Sequence, residues 1–203
     1  MDTEIEVKFL RTDHAAVRRA LTAVGAVCEQ PMRLMRRAVF ATTPEMHSES
    51  GYIRVRDEGE RVTLTYKQFD KELTLHGAQE IETTVADYDK TVAILKAAGI
   101  RCFSTQESKR ETWKYRGTEV VLDEWPWLEP YIEIEGEDES ALREVASELG
   151  FDWEKDAVFG DVMAAYRAQY PHLSMNDTVG SLPMVRFGDA LPEMFEQRKG
   201  LTE

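Results

Sequence analysis

"EIEVKF", residues 4–9, places Glu4, Glu6 and Lys8 at alternate positions, with Ile5, Val7 and Phe9 between them. Strict alternation is the period of a β-strand, so one face is apolar and the other carries two carboxylates and an ammonium. The segment alone does not say whether that charged face meets bulk water or a ligand. The rest of the chain repeats the pattern: same-sign pairs two residues apart recur at Arg54/Arg56, Glu80/Glu82 and Glu133/Glu135, in stretches that also alternate. A strand rises about 3.3 Å per residue, so each pair projects to one side roughly 6.6 Å apart, close enough to repel. A solvated sheet face ordinarily mixes signs across neighbouring strands, whereas four segregated pairs point to ions of opposite sign lying between them.

The intervening sequence is consistent with an α+β architecture. Thr12 or Asp13 can cap a helix running to about Val24, and Asp87 a second one through Ala98; Gly25 and Gly99 close them. Residues 26–30 and 32–41 read as extended, and 51–69 as a hairpin turning at Glu58-Gly59. Further strands are expected at 77–85, 101–107, 109–115, 118–124 and 130–136. Helical patterns follow at about 139–149 and 154–169. The expectation is about eight antiparallel strands in a mainly meandering order, with helices in two connections and at the C-terminal end. Residues 1–170 form the domain in this reading, and 171–203, with Pro171, Pro183 and Pro192, form an irregular tail that packs on it in part. If the apolar strand faces pack under the helices, the charged faces line the inside of a nearly closed barrel, a tunnel for a ligand.

Composition narrows the ligand. The 203 residues include 38 acidic and 25 basic side chains, a net charge of −13, which argues against a general nucleic-acid surface. No apolar stretch approaches the roughly 20 residues of a membrane helix, and the N-terminus shows no secretory pattern, so the cytoplasm is the expected location. Cys28 and Cys102 lack metal or redox spacing and are expected to be small buried hydrophobes. His14, His47, His76 and His172 share no metal-ligand spacing. The charges in phase with the strands number six cations (Lys8, Arg54, Arg56, Lys67, Lys109, Arg110) and seven carboxylates (Glu4, Glu6, Glu80, Glu82, Asp123, Glu133, Glu135). Such a near-neutral interior suits a polyphosphate bound with a divalent metal: arginine forks and lysines for phosphoryl oxygens, carboxylates for Mg²⁺ or Mn²⁺.

"EIEVK", then "RVR", "TYK", "EIE", "SKRETW", "VLDEW" and "YIEIEG", in that order over roughly residues 2–167, resemble the CYTH superfamily, the triphosphate tunnel metalloenzymes. The first motif matches many strands; the ordered set is specific. The resemblance implies an eight-stranded antiparallel barrel-like tunnel that takes a triphosphate with Mg²⁺ or Mn²⁺. Lys8, Arg54, Arg56, Lys67, Lys109 and Arg110 would then bind phosphate, while Glu4, Glu6, Asp123, Glu133 and Glu135 would hold metal. Glu80 and Glu82 would orient the basic side chains or join the metal shell. Adjacent residues on a strand face opposite ways, so of Lys109 and Arg110 one points inward, and Arg110 is the choice. The stretch "RLMRRAVFAT" departs from many relatives, which carry a polar residue and an aromatic pair there; Arg33 or Arg37 could add a phosphate contact.

Members of the superfamily hydrolyse inorganic, nucleoside or thiamine triphosphate, or cyclise ATP to cyclic AMP and pyrophosphate. The leading reading is hydrolysis of the terminal phosphoanhydride, with Glu4, Glu6 and Lys8 at the reaction centre. Lys8 serves there either as a phosphate clamp or, with a depressed pKa, as the base that activates water. Cyclisation is the alternative and would need an adenine pocket; Trp113, Trp125 and Trp127 could stack on a base, although strand tryptophans more often pack. A sensor that binds polyphosphate without turning it over is the third reading. The expected partner is a small-molecule triphosphate, with no nucleic acid and no membrane, and a homodimer is an assembly common among such proteins.

Overall fold

The computed structural model describes residues 2–42, 51–69 and 78–196, without the side chains of residues 2–4, 69, 78 and 79. His47, His76 and the last seven residues of the tail thus lie outside the described residues. In chain order the strands are β1 (Asp2–Glu4), β2 (Glu6–Phe9), β3 (Val27–Phe40), β4 (Gly51–Asp57), β5 (Val62–Phe69) and β6 (Ala78–Val85). They continue as β7 (Cys102–Tyr115), β8 (Thr118–Glu124), β9 (Tyr131–Glu135), β10 (Ala157–Val158) and β11 (Met184–Val185). The sheet runs β1-β6-β5-β4-β3-β7-β8-β9-β2-β10, and β11 pairs beside β7. All pairs are antiparallel except β11 with β7, so the α+β expectation holds.

The opening segment is two strands rather than one. Asp2–Glu4 pair with β6, whereas Glu6–Phe9 pair with β9 at the far side of the sheet, and the chain changes partner at Ile5. Among the described residues no ladder closes the sheet. Its two sides are joined covalently through Ile5, which curls the sheet into a tunnel with residues 2–9 as the seam.

Alternation decides what each face does. On the outer face Val7, Phe9, Val120, Leu122, Ile132 and Ile134 form the largest apolar cluster. Val17 and Leu21 of helix α1 (His14–Ala23) and Leu142, Val145 and Ala146 of α3 (Glu139–Glu148) pack against it. Helix α2 (Tyr88–Ala97) covers Ala38, Phe40 and Val55 through Val92 and Leu95. The caps are those the sequence offers: the side chains of Asp13, Asp87 and Asp138 accept from the backbone N–H of Ala15, Lys90 and Ala141.

Three elements differ from expectation. The break expected at Pro31 is a register shift between Gln30 and Arg33 within the single strand β3, since a bulge accommodates a residue with no N–H to donate. Residues 101–115, expected as two strands, form β7 alone. The helix expected over 154–169 is instead α4 (Trp153–Asp156), the short β10 against β2, and α5 (Val162–Gln169); Gly160, at φ 104°, separates the last two. The tail folds back across the sheet, burying Leu173, Val179, Val185 and Phe195 against Trp125, Tyr131, Met163 and Tyr166. Cys28 is exposed, against expectation, at the exposed start of β3, whereas Cys102 is half-buried and packs against the Ala38, Phe40 and Val55 cluster.

Gly51 begins β4 with φ 153°, and a Cβ there would lie 2.4 Å from the Lys67 carbonyl oxygen. Gly51→Ala is expected to cost about 1–3 kcal/mol, because the obstacle is backbone of the paired strand; urea unfolding followed by circular dichroism checks it.

Candidate functional site

The inner face, together with α5 and residues 175–181 of the tail, lines a cavity of about 1880 Å³. Ladder register brings the charges together in it. Opposite Glu6 and Lys8 of β2 stand Glu135 and Glu133 of β9; Arg110 of β7 stands opposite Asp123 of β8. On the other wall Arg54 and Arg56 of β4 face Thr65 and Thr63, which in turn face Glu82 and Thr84; Lys67 faces Glu80. The cavity is therefore lined by Glu6, Lys8, Arg54, Arg56, Lys67, Glu80, Glu82, Arg110, Asp123, Glu133 and Glu135. Two predicted site residues are not among them. Lys109 lies on the outer face, where its ammonium meets Glu124 at 3.0 Å and the Phe187 ring at 4.7 Å, because its neighbour Arg110 takes the inward position. Glu4 belongs to β1, paired with Ala78, and its side chain lies outside the described residues.

Oppositely charged groups interlock on the carboxylate wall. Lys8 Nζ lies 2.6 Å from Glu6 Oε1 and 3.1 Å from Glu133 Oε1. Arg110 donates two hydrogen bonds to Asp123, at 2.7 and 2.5 Å, and one to Glu133 at 2.6 Å, with Glu135 at 3.8 Å. Burial alone would lower the Lys8 pKa, but Glu133 and Glu6 outweigh it and hold the ammonium well above its usual range. Burial likewise opposes ionisation of Glu133, yet Lys8 and Arg110 pull it down to about 2. Asp123 shifts upward, since burial and Glu133 prevail over Arg110.

Carboxylate oxygens of Glu6, Glu133 and Glu135 lie within 4.8 Å of one another, and among the described residues this trio is the group able to hold a metal ion. Hard oxygen donors with no thiolate or imidazole suit Mg²⁺ or Mn²⁺, so the residues present fit the implied cation.

The opposite wall is basic. Arg54 Nη2 lies 3.7 Å from Glu82, whose other contact is an accepted bond from Thr65 Oγ1 at 2.7 Å; Lys67 Nζ is 3.9 Å from Glu80. These separations are longer than those around Lys8 and Arg110. Arg56 is lowered to about 10 by burial first and Arg54 next, Glu58 only partly offsetting them.

Two cavity-side residues escape the doublet pattern. Arg37 projects inward from β3 opposite Arg56, whereas Arg36 points out to Asp57 and the Tyr88 ring. Two consecutive arginines obscure the alternation that would have chosen between them; of Arg33 and Arg37, Arg33 is spent on the Glu58 and Arg110 carbonyls and Thr112. Glu58, which the sequence presents as a hairpin tip, is only 2% exposed. It folds back to clamp Arg56 at 2.5 Å and Arg61 at 2.7 Å. No local signal marks it, since the burial comes from Arg33 and the β4–β5 turn closing over it. Of the tryptophans, Trp113 packs in the outer core and donates to Glu111, Trp127 packs on Phe195, and Trp125 alone lines the cavity.

An open-sided curled sheet with charges inside and helices α1, α2 and α3 outside defines a class, and the comparisons agree with it. The CYTH domain model matches residues 2–157, and the chain belongs to the CYTH domain family. No curated protein matches it. Among solved structures, the PH1012 protein of Pyrococcus horikoshii is 21% identical, with a TM-score of 0.63 over 76% of this chain and 93% of that one. A candidate adenylate cyclase of Vibrio parahaemolyticus is 13% identical, with a TM-score of 0.67 over 81% and 98%. A candidate adenylyl cyclase of Hippeastrum, described as having a dominant triphosphatase activity, is 15% identical with a TM-score of 0.53 over 83% and 96%. These likenesses establish the shared fold. No helix among the described residues is long and apolar enough to cross a membrane.

Glu58 is held below the usual carboxylate range: burial raises its pKa, but Arg56 and Arg61 together lower it further. A depressed carboxylate stabilises the fold above its unfolded pKa, about 4.3, and that contribution is lost as pH falls through the folded value. Glu58→Gln is therefore expected to cost about 3 kcal/mol at pH 7, as for one partner removed from a buried pair. The gap to wild type should narrow as pH falls from about 4.3 toward the depressed folded value, as Glu58 takes up its proton; denaturant melts at pH 7 and across that range check this.

Proposed function

We propose that this chain is a metal-dependent triphosphatase that hydrolyses the terminal phosphoanhydride of an inorganic, nucleoside or thiamine triphosphate. One observation carries the reading: a carboxylate trio with oxygens within 4.8 Å of one another shares a single cavity with Arg54, Arg56, Lys67 and Arg110. A site for bare cations would not need the basic wall, and a site for bare anions would gain little from the trio. A divalent cation on Glu6, Glu133 and Glu135 would supply neutralisation of the phosphoryl oxygens.

The chain's own groups do the remaining work. Arg54, Arg56 and Lys67 bind and align the phosphoryl groups, and Arg110, fixed by Asp123 and Glu133, presents its fork in one orientation. Lys8 is held protonated by Glu133 and Glu6, which supports the clamp role over that of a base. Orientation of the attacking water then falls to the carboxylate side. Phosphoryl transfer asks little more of a protein than positioning and charge stabilisation, both of which these residues provide.

The purified chain with Mg²⁺ or Mn²⁺ is expected to release orthophosphate from at least one of inorganic triphosphate, ATP and thiamine triphosphate. Cyclic AMP with pyrophosphate would instead make it a cyclase, and binding without product a sensor. Arg54→Ala and Lys67→Ala are each expected to lower turnover by about 100-fold or more while retaining the wild-type circular dichroism spectrum. Wild-type turnover in both variants would remove the basic wall from the reaction.

A further inference from the structure

Arg37 is only 9% exposed, and among the described residues no carboxylate lies within ion-pair distance of it. Its Nε is buried without a hydrogen-bond partner, although the residue lines the cavity. One Nη2 donates to Ser108 Oγ at 2.5 Å, and the guanidinium plane lies over the Trp125 ring, 4.4 Å from its centroid. The charges that act on it are chiefly of its own sign: Arg56, Arg54 and Arg110 repel it, while the attracting Asp123 is already bound in two places by Arg110. A buried cation without a counter-ion costs several kcal/mol. Packing does not explain it, because Trp125 and Ser108 would accommodate an uncharged side chain of that length at no electrostatic cost. An anion supplied from outside the chain does.

The same contact bears on what is attached to the phosphates. Trp125 is the one tryptophan lining the cavity and is 5% exposed, with Arg37 over its ring. A base or thiamine ring that would stack there meets a guanidinium instead, whereas an ionised phosphoryl group gains a charged donor. Tyr52 and Phe103 line other parts of the cavity, which makes a nucleotide the informative comparison ligand.

We infer that Arg37 is a further phosphate-binding residue, and that by covering Trp125 it makes the site selective for bare inorganic triphosphate over triphosphates with an aromatic substituent. This rests on the triphosphate reading above and specifies its substrate class. Arg37 binds the terminal phosphoryl group that in an organic triphosphate carries the ester.

The test is calorimetric titration of the full-length chain, in Mn²⁺, with inorganic triphosphate and with ATP, for wild type, Arg37→Met and Arg37→Lys. Wild type is expected to bind inorganic triphosphate at least tenfold more tightly than ATP. Arg37→Met should weaken inorganic triphosphate at least tenfold and ATP less than threefold, and Arg37→Lys should fall between, keeping charge but losing the planar fork. Because the variant also relieves a buried unpaired charge, the ligand-free Arg37→Met protein should melt at or above the wild-type temperature, which a merely structural arginine would not allow. A lower melting temperature, unchanged affinity for inorganic triphosphate, or equal losses for both ligands would overturn the inference; if Arg37→Met does not fold, Arg37→Lys with wild-type affinities does the same. Binding of neither ligand by wild type would instead remove the triphosphate reading itself.

Discussion

The contact of Lys8 with Glu6 and Glu133 holds the seam of the tunnel and its chemistry in one place. Lys8 is almost wholly buried, and an isolated ammonium there would lose its proton or unfold the segment. The ladder of β2 with β9 sets Glu133 directly opposite Lys8, and Glu6 stands two residues back on the same face. Charge neutralisation thus depends on strand register. A slip of one residue would turn Lys8 toward the outer core and Val7 into the cavity, so pairing at the seam is enforced from both faces at once.

The same logic extends around the cavity with different tightness. Arg110 is locked among Asp123, Glu133 and Glu135, a preorganised donor that costs nothing further to orient when ligand arrives. Arg54 and Lys67 stand at 3.7 and 3.9 Å from Glu82 and Glu80, and Arg37 is paired with no carboxylate among the described residues. One wall carries the metal-competent trio, with Lys8 and Arg110 in close ion pairs beside it; the other carries Arg54, Arg56 and Lys67, the side chains suited to an incoming anion.

The largest apolar cluster supports this arrangement by being outside. Helices α1 and α3 pack on the outer faces of β2, β8 and β9, whereas the tail buries Phe195 and Val185 in a separate cluster with Trp125 and Tyr131, which line the cavity. The largest apolar cluster therefore leaves the charged walls clear, while the tail-side cluster borders the cavity through Tyr131, Met163 and Val179. Trp125 belongs to the tail-side cluster and also reaches the cavity, which ties the C-terminal segment to the position of Arg37.

Much of this is legible in the order of residues. Alternation in "EIEVKF" and its later counterparts determines which side chains share a face, and aspartates before helical stretches determine where helices start, because both are local consequences of backbone geometry. The inward doublets are the same kind of inference, and they include Glu6, Glu133 and Glu135. What local sequence leaves open is partnership. That residues 4 and 6 belong to different ladders, that Arg37 rather than Arg36 faces inward, and that Glu58 at a hairpin tip is buried all depend on which distant strand lies alongside. Cross-strand register and the closing of one segment over another are long-range: they follow from the packing of the whole sheet, and no window of neighbouring residues encodes them.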